Sequence, residues 1–155
     1  MSEHKATISW KRTSLDFLKG KYSREHTWTF DGGLAVPASP SPSVVPVPYS
    51  NPAHVDPEEA FVAAISSCHM LTYLYLACQD GFQVDSYWDE AVGLMSKNQS
   101  GVLWVSSVTL HPQIAYSGDK LPTLEDEERL HHKAHEQCFI ANSVKTEVTV
   151  ERSRA

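Results

Sequence analysis

The sequence predicts an α+β fold on three observations: strand-like segments of alternating polar and apolar residues, two helical segments with clear start signals, and strands that come in runs apart from the helices. Ala6 to Trp10 and His26 to Phe30 alternate in this way, with Thr, Ile, Trp and Phe, as half-buried strands do. Asp31-Gly32-Gly33 supplies the turn that follows. Six prolines then fall between Pro37 and Pro52, which rules out a regular helix or a central strand and predicts an extended loop over 37–55. A loop of that length in a compact domain is functional or mobile.

The first helix is announced by Asp56-Pro57-Glu58-Glu59: a capping Asp, Pro at the first helical position, and Glu three residues after the cap. It is expected to run to about Cys78, stopped by Asp80-Gly81. Ala60 to Ile65, Met70, Leu71, Leu74 and Leu76 leave it almost no polar face, so it is expected to be buried on most sides. Val84 to Met95 and Val102 to His111 read as two long strands joined by a turn at Lys97 to Gly101. Pro122 to Glu128 opens a second helix, its acidic residues placed where the helix dipole favours them. Val144 to Val150 alternates as a last strand.

At 155 residues and 41% apolar, the chain is expected to form a single domain over 1–155. A formal net charge of -6 and scattered Lys and Arg argue against a nucleic-acid surface or an anionic-lipid partner. The N-terminus lacks the pattern of a signal peptide, and the stretch from Ala60 to Cys78 is interrupted by Ser66, Ser67, His69 and Thr72, so it reads poorly as a membrane span. The expected location is cytoplasmic, where three cysteines are packed, catalytic or metal-binding residues and not structural disulfides.

Cys78, among Tyr75, Leu76 and Ala77, reads as packing. Cys68 and Cys138 sit in richer contexts. Asp56-Pro57-Glu58-Glu59, then Ala63-Ala64-Ile65-Ser66-Ser67-Cys68, and Cys138 followed by Asn142-Ser143-Val144-Lys145-Thr146-Glu147-Val148-Thr149-Val150, resemble the OsmC and Ohr family of thiol-dependent peroxidases. The resemblance covers about residues 5 to 150 and is dense around the two cysteines. It implies an OsmC-like fold, with antiparallel sheets wrapped around a long buried central helix plus a second helix, in an intertwined homodimer.

It also implies reduction of organic hydroperoxides, with Cys68 at the peroxidatic position and Cys138 at the resolving one. The cycle would pass through a Cys68 sulfenic acid and a Cys68–Cys138 disulfide, reopened by an external dithiol, with no cofactor. Such a nucleophile must be a thiolate, and since burial alone raises a thiol pKa, a cation must lie near it. By resemblance Arg24 is that cation, steadied by Glu58; Arg12 is the alternative. Ten residues of continuous helix rise about 15 Å, so Glu58 reaches a Cys68 site only if the helix is interrupted or the Glu belongs to a second subunit.

Two other readings remain. His131, His135 and Cys138 fall at i, i+4 and i+7 on one helix face, either a partial metal site or a solvated histidine face. The other is a stress-associated binding module that keeps the fold with its cysteines idle. His69 follows Cys68, but adjacent helical residues diverge by about 100°, which argues against its acting as that thiol's base. Trp10, Trp28, Trp88 and Trp104 lie in strand-like segments and read as core or interface, with one or two available to line a hydrophobic peroxide pocket. The long proline loop and Phe139 depart from the plainer family pattern, beside the expected pocket, and leave the hydroperoxide unspecified.

Overall fold

The computed structural model describes residues 1–151; the last four residues of the 1–155 span lie outside the described residues. Within that span the chain forms two compact units, residues 1–60 and the residues from 61 onward.

The first unit is a three-stranded antiparallel meander of β1 (Ala6–Ser9), β2 (His26–Phe30) and β3 (Ala35–Ala38), in that order. Pro37 lies inside β3 opposite Thr27. It is tolerated there because β3 is an edge strand, where a missing N–H breaks no second ladder. The proline-rich loop is closed at its base: the Val55 N–H donates to the Pro37 carbonyl, the Ser39 N–H to the Val55 carbonyl, and the Asn51 N–H to the buried Ser39 hydroxyl.

Helix α1 (Pro57–Gln79) begins at the expected cap. Asp56 Oδ1 accepts from the Glu59 N–H at 2.7 Å and Glu59 Oε2 accepts from the Asp56 N–H at 3.1 Å, a reciprocal capping box. The helix is uninterrupted over 23 residues. By length and composition it is apolar enough to cross a membrane, yet its apolar residues divide between a core stripe and an outward face. Ile65, His69, Tyr73, Leu76 and Ala77 are buried, while Leu71 and Tyr75 are 61% and 59% exposed. Burial on most sides, expected from the lack of a polar face, is therefore not what a single chain shows. Cys78 is likewise exposed and not packed.

In the second unit, the segment read as one strand from Val84 to Met95 is two strands in different sheets, β4 (Gln83–Asp89) and β5 (Val92–Lys97). Asp89 explains the break. Its carboxylate takes the Ser66 hydroxyl and the His111 N–H, and the Glu90 carbonyl takes His111 Nδ1, so the backbone corners at Glu90 and, opposite, at His111. Beyond that corner β6 (Leu103–Leu110) gives way to β7 (Pro112–Ser117), a strand the sequence reading missed. β7 pairs antiparallel with β4, and β6 pairs antiparallel with β5.

Helix α2 (Leu124–Gln137) starts from Thr123, whose side chain and Asp126 form a second reciprocal capping box. The helix returns the chain so that β8 (Glu147–Val150) pairs parallel to β6. Its long helical crossover is what permits a parallel pair in otherwise antiparallel sheets.

Two cores result. Tyr73, Leu76, Ala77, Phe82, Leu130 and Ala134 join α1 to α2, and Ile65, Val108 and Leu110, with Val62, Val105, Ile140 and Val148 around them, join α1 to β6 and β8. Gly93 sets the approach of α1 to β5, because a Cβ there would lie 2.5 Å from Val62 Cγ2. Gly93→Ala is expected to destabilise the protein by about 1–3 kcal/mol through overpacking. Urea denaturation checks this, and an unchanged midpoint counts against it.

Candidate active site

Cys68 lies on α1, half-buried, with its carbonyl accepting from Thr72 Oγ1 at 2.9 Å. Cys138 is fully buried at the C-terminal cap of α2, where its N–H closes the helix on the Ala134 carbonyl. The fold brings the two thiols close enough for Cys68 to act on the Cys138 titration. Burial pushes the Cys138 thiol up to about 11, and the neighbouring Cys68 thiol adds to the rise; the Ala141 N–H, 3.3 Å from Cys138 Sγ, works the other way. Cys138 therefore holds its proton at neutral pH.

The turn carrying Cys138 is fixed by its own backbone. The Cys138 carbonyl accepts from the Asn142 N–H and from Asn142 Nδ2, and Asn142 Nδ2 also reaches the Glu136 carbonyl. Asn142 thus ties the end of α2 to the short helical turn at Ala141–Ser143. Beside the pair, Leu71, Thr72, Tyr75, Gln137, Phe139 and Asn142 line a cavity of about 620 Å³. Phe139, 83% exposed, stands at this cavity next to Cys138.

Histidines near the thiols are placed differently from either sequence reading. His131 is buried, not on a solvated face: its ring centre lies 5.3 Å from that of His69 with the planes 11° apart, and its Nδ1 lies 3.0 Å from His69 Nε2. His132 and His135 are exposed. Among the described residues no group of three His, Cys, Asp or Glu side chains is arranged to hold a metal ion. His69 directs its Nε2 to His131, and burial, followed by the charge of His135, lowers it to about 4 against a smaller opposing effect of Asp89.

Sequence reasoning gave no role to Asp89 or to the His69–His131 contact. The only hint was that Ser66 and His69 are polar residues three apart inside an apolar helix.

Arg24 and Glu58 belong to the first unit. Arg24 is half-buried, its guanidinium donating to the Tyr22 carbonyl and lying 4.0 Å from the Tyr22 ring centre and 5.9 Å from that of Tyr49. With Ile8, Trp10, Phe17, Tyr22 and His26 it lines a cavity of about 480 Å³. Trp10 falls just past β1 and turns its indole N–H to the Ser23 carbonyl. Burial, with the like charges of Asp56 and Glu59 adding to it, raises the Glu58 carboxyl above its usual range. Among the described residues Arg24 and Glu58 form no ion pair within 4.0 Å. Arg12 is exposed.

This arrangement, one thiol on α1 and a second at the end of α2 in an α+β fold, defines a class of protein. The sequence model of OsmC-like proteins matches residues 50–153, and the chain belongs to the OsmC-like family. An OsmC-like protein of unknown function from Vibrio cholerae O1 biovar eltor is 56% identical, with a TM-score of 0.96 over 99% of this chain and 100% of that one. An organic hydroperoxide resistance protein from Elizabethkingia anophelis shares the fold at 19% identity and a TM-score of 0.71, over 99% of this chain and 98% of that one. The organic hydroperoxide resistance protein OhrB of Bacillus subtilis does so at 20% identity and 0.67, with 98% of each chain covered. No curated protein matches the sequence.

The depressed His69 has a consequence in acid. Its neutral form is favoured in the fold, so its contribution to stability is complete above pH 6.5 and is lost as pH falls through about 4. His69→Gln, which does not titrate, is expected to lose less stability between neutral pH and the His69 titration range than the parent. Urea midpoints at the two pH values measure it, and equal losses would show that His69 carries none of the acid dependence.

Proposed function

We propose that this chain is a thiol-dependent peroxidase that reduces organic hydroperoxides in the cytoplasm as part of oxidative stress defence. The observation that carries the reading is the nearness of the half-buried Cys68 to the buried, protonated Cys138. Family membership and the names of the related hydroperoxide resistance proteins support it.

In this mechanism the Cys68 thiolate attacks the outer oxygen of the hydroperoxide, the O–O bond breaks, and the alkoxide leaves as the alcohol after taking a proton. Cys68 becomes a sulfenic acid. Cys138 then forms the S–S bond, and the sulfenic hydroxyl departs as water with the Cys138 proton. An external dithiol takes its place in two exchange steps, restoring both thiols and leaving as a disulfide. The half-buried position of Cys68 and the full burial of Cys138 suit these roles, since the attacking sulfur must meet substrate and the resolving one need only meet Cys68.

Arg24 and Glu58 are the residues proposed to favour the thiolate and to steady that charge. Arg24 suits this role because its guanidinium has no carboxylate partner among the described residues and sits in an aromatic cavity of the size that takes a small organic molecule. We infer a homodimer as well. Because α1 is continuous, Glu58 and Cys68 are about 15 Å apart along it, which favours a Glu supplied by a second subunit. The exposed apolar face of α1 at Leu71 and Tyr75 is a surface of the kind that association buries.

With a dithiol present, the protein is expected to consume cumene hydroperoxide, and Cys68→Ser to lose at least about a hundredfold of the rate. Cys138→Ser is expected to keep one turnover and to accumulate a sulfenic acid trapped by dimedone. Wild-type turnover in Cys68→Ser would end the proposal. Arg24→Met is expected to slow the first step by about 10- to 100-fold with the fold intact. Sedimentation equilibrium tests the dimer, and a monomer with full activity would remove it.

A further inference from the structure

The contact between His69 and His131 is a polar junction set in the apolar interface of the two helices that carry the thiols. His69 is 1% exposed and follows Cys68 on α1; His131 is 6% exposed and precedes Cys138 by two turns on the same face of α2. Their rings lie nearly parallel, 11° apart, with one ring nitrogen donating to the other across 3.0 Å, and Tyr73 packs on His131 at 4.4 Å. On the other side of Cys68, Ser66 donates to Asp89, which also receives the His111 N–H. The turn carrying Cys68 is thus held at residues 66 and 69, once to β4 and once to α2.

An apolar pair at 69 and 131 would bury as much surface but would not select one register of α1 on α2. A hydrogen bond between two buried groups does, because sliding the helices leaves both nitrogens without partners in a dry interior. Disulfide formation is sensitive to this register, since it needs the two Cα atoms within about 7 Å and the side chains converging.

We propose that His69 and His131 form a clasp that sets the separation of Cys68 and Cys138, making them positioning residues for closure of the disulfide. The proposal rests on the redox reading of the cysteine pair given above. It assigns the histidines no proton transfer and no contact with the peroxide.

The test is the equilibrium of the protein dithiol with glutathione disulfide, which yields the protein disulfide and two glutathione thiols and involves no peroxide. His131→Asn keeps an amide near the position of Nδ1, whereas His131→Gln carries the same amide one bond too far, so the two differ in reach and not in chemistry. His131→Gln and His131→Leu are expected to lower the equilibrium constant for Cys68–Cys138 closure at least about tenfold, with His131→Asn staying within about threefold of wild type. Wild-type closure in folded His131→Gln, or equal loss in the Asn and Gln variants, overturns the clasp. If the leucine variant does not fold, the amide pair still decides. A wild-type protein that forms no Cys68–Cys138 disulfide in glutathione overturns the redox reading and the clasp with it. Normal closure without peroxide turnover leaves the clasp standing and removes the peroxidase.

Discussion

The structure around the thiols depends on one constraint: α1 offers a single stripe, Ile65, His69, Tyr73, Leu76 and Ala77, to everything packed on it in its own unit. Those residues recur at helical spacing and meet β6 and β8 at one end and α2 at the other. Because the stripe is narrow, the rotation of α1 about its axis is fixed. That rotation places Cys68 at the edge of the stripe, half-buried, between the core and the outside.

Polar groups refine what the apolar stripe begins. Hydrophobic burial is non-directional, and two smooth apolar helices can slide with little change in buried area. Ser66 with Asp89 and His69 with His131 remove that freedom on either side of Cys68. Asp89 has a further effect, since by receiving the His111 N–H it breaks what would be one long hairpin into two strand pairs and turns β4 and β7 toward the helices. A single carboxylate thereby shapes both the sheet and the thiol-bearing turn.

Much of the fold was legible in the sequence because its signals are local. Asp56, Pro57 and Glu59 fix the start of α1 through bonds spanning three residues, and β2 has the expected bounds because its alternation is unbroken. The errors come where a distant partner decides. Nothing within a few residues of Glu90 announces a strand break, since its cause is the His111 amide on another strand. β7 was missed because it follows a corner made by that same contact. The parallel pairing of β8 depends on the path of α2 and leaves no local mark. Cys78 and much of α1 read as buried because apolar composition does not say which face a chain covers.

For the site, the sequence by itself determined the residues proposed to carry redox chemistry: two cysteines in contexts that set them apart from a third. It also determined the helices on which they stand, through caps and periodicity that act over a single turn. Only the tertiary structure decided that Cys138 is buried near Cys68 and keeps its proton, and that His131 faces inward to His69 and not outward to solvent. The physical reason is that contact and burial are properties of packing between elements remote in sequence, and a pKa follows from burial and contact. Residue identity supplies the thiol; the packing of α1 on α2 supplies its partner and its environment.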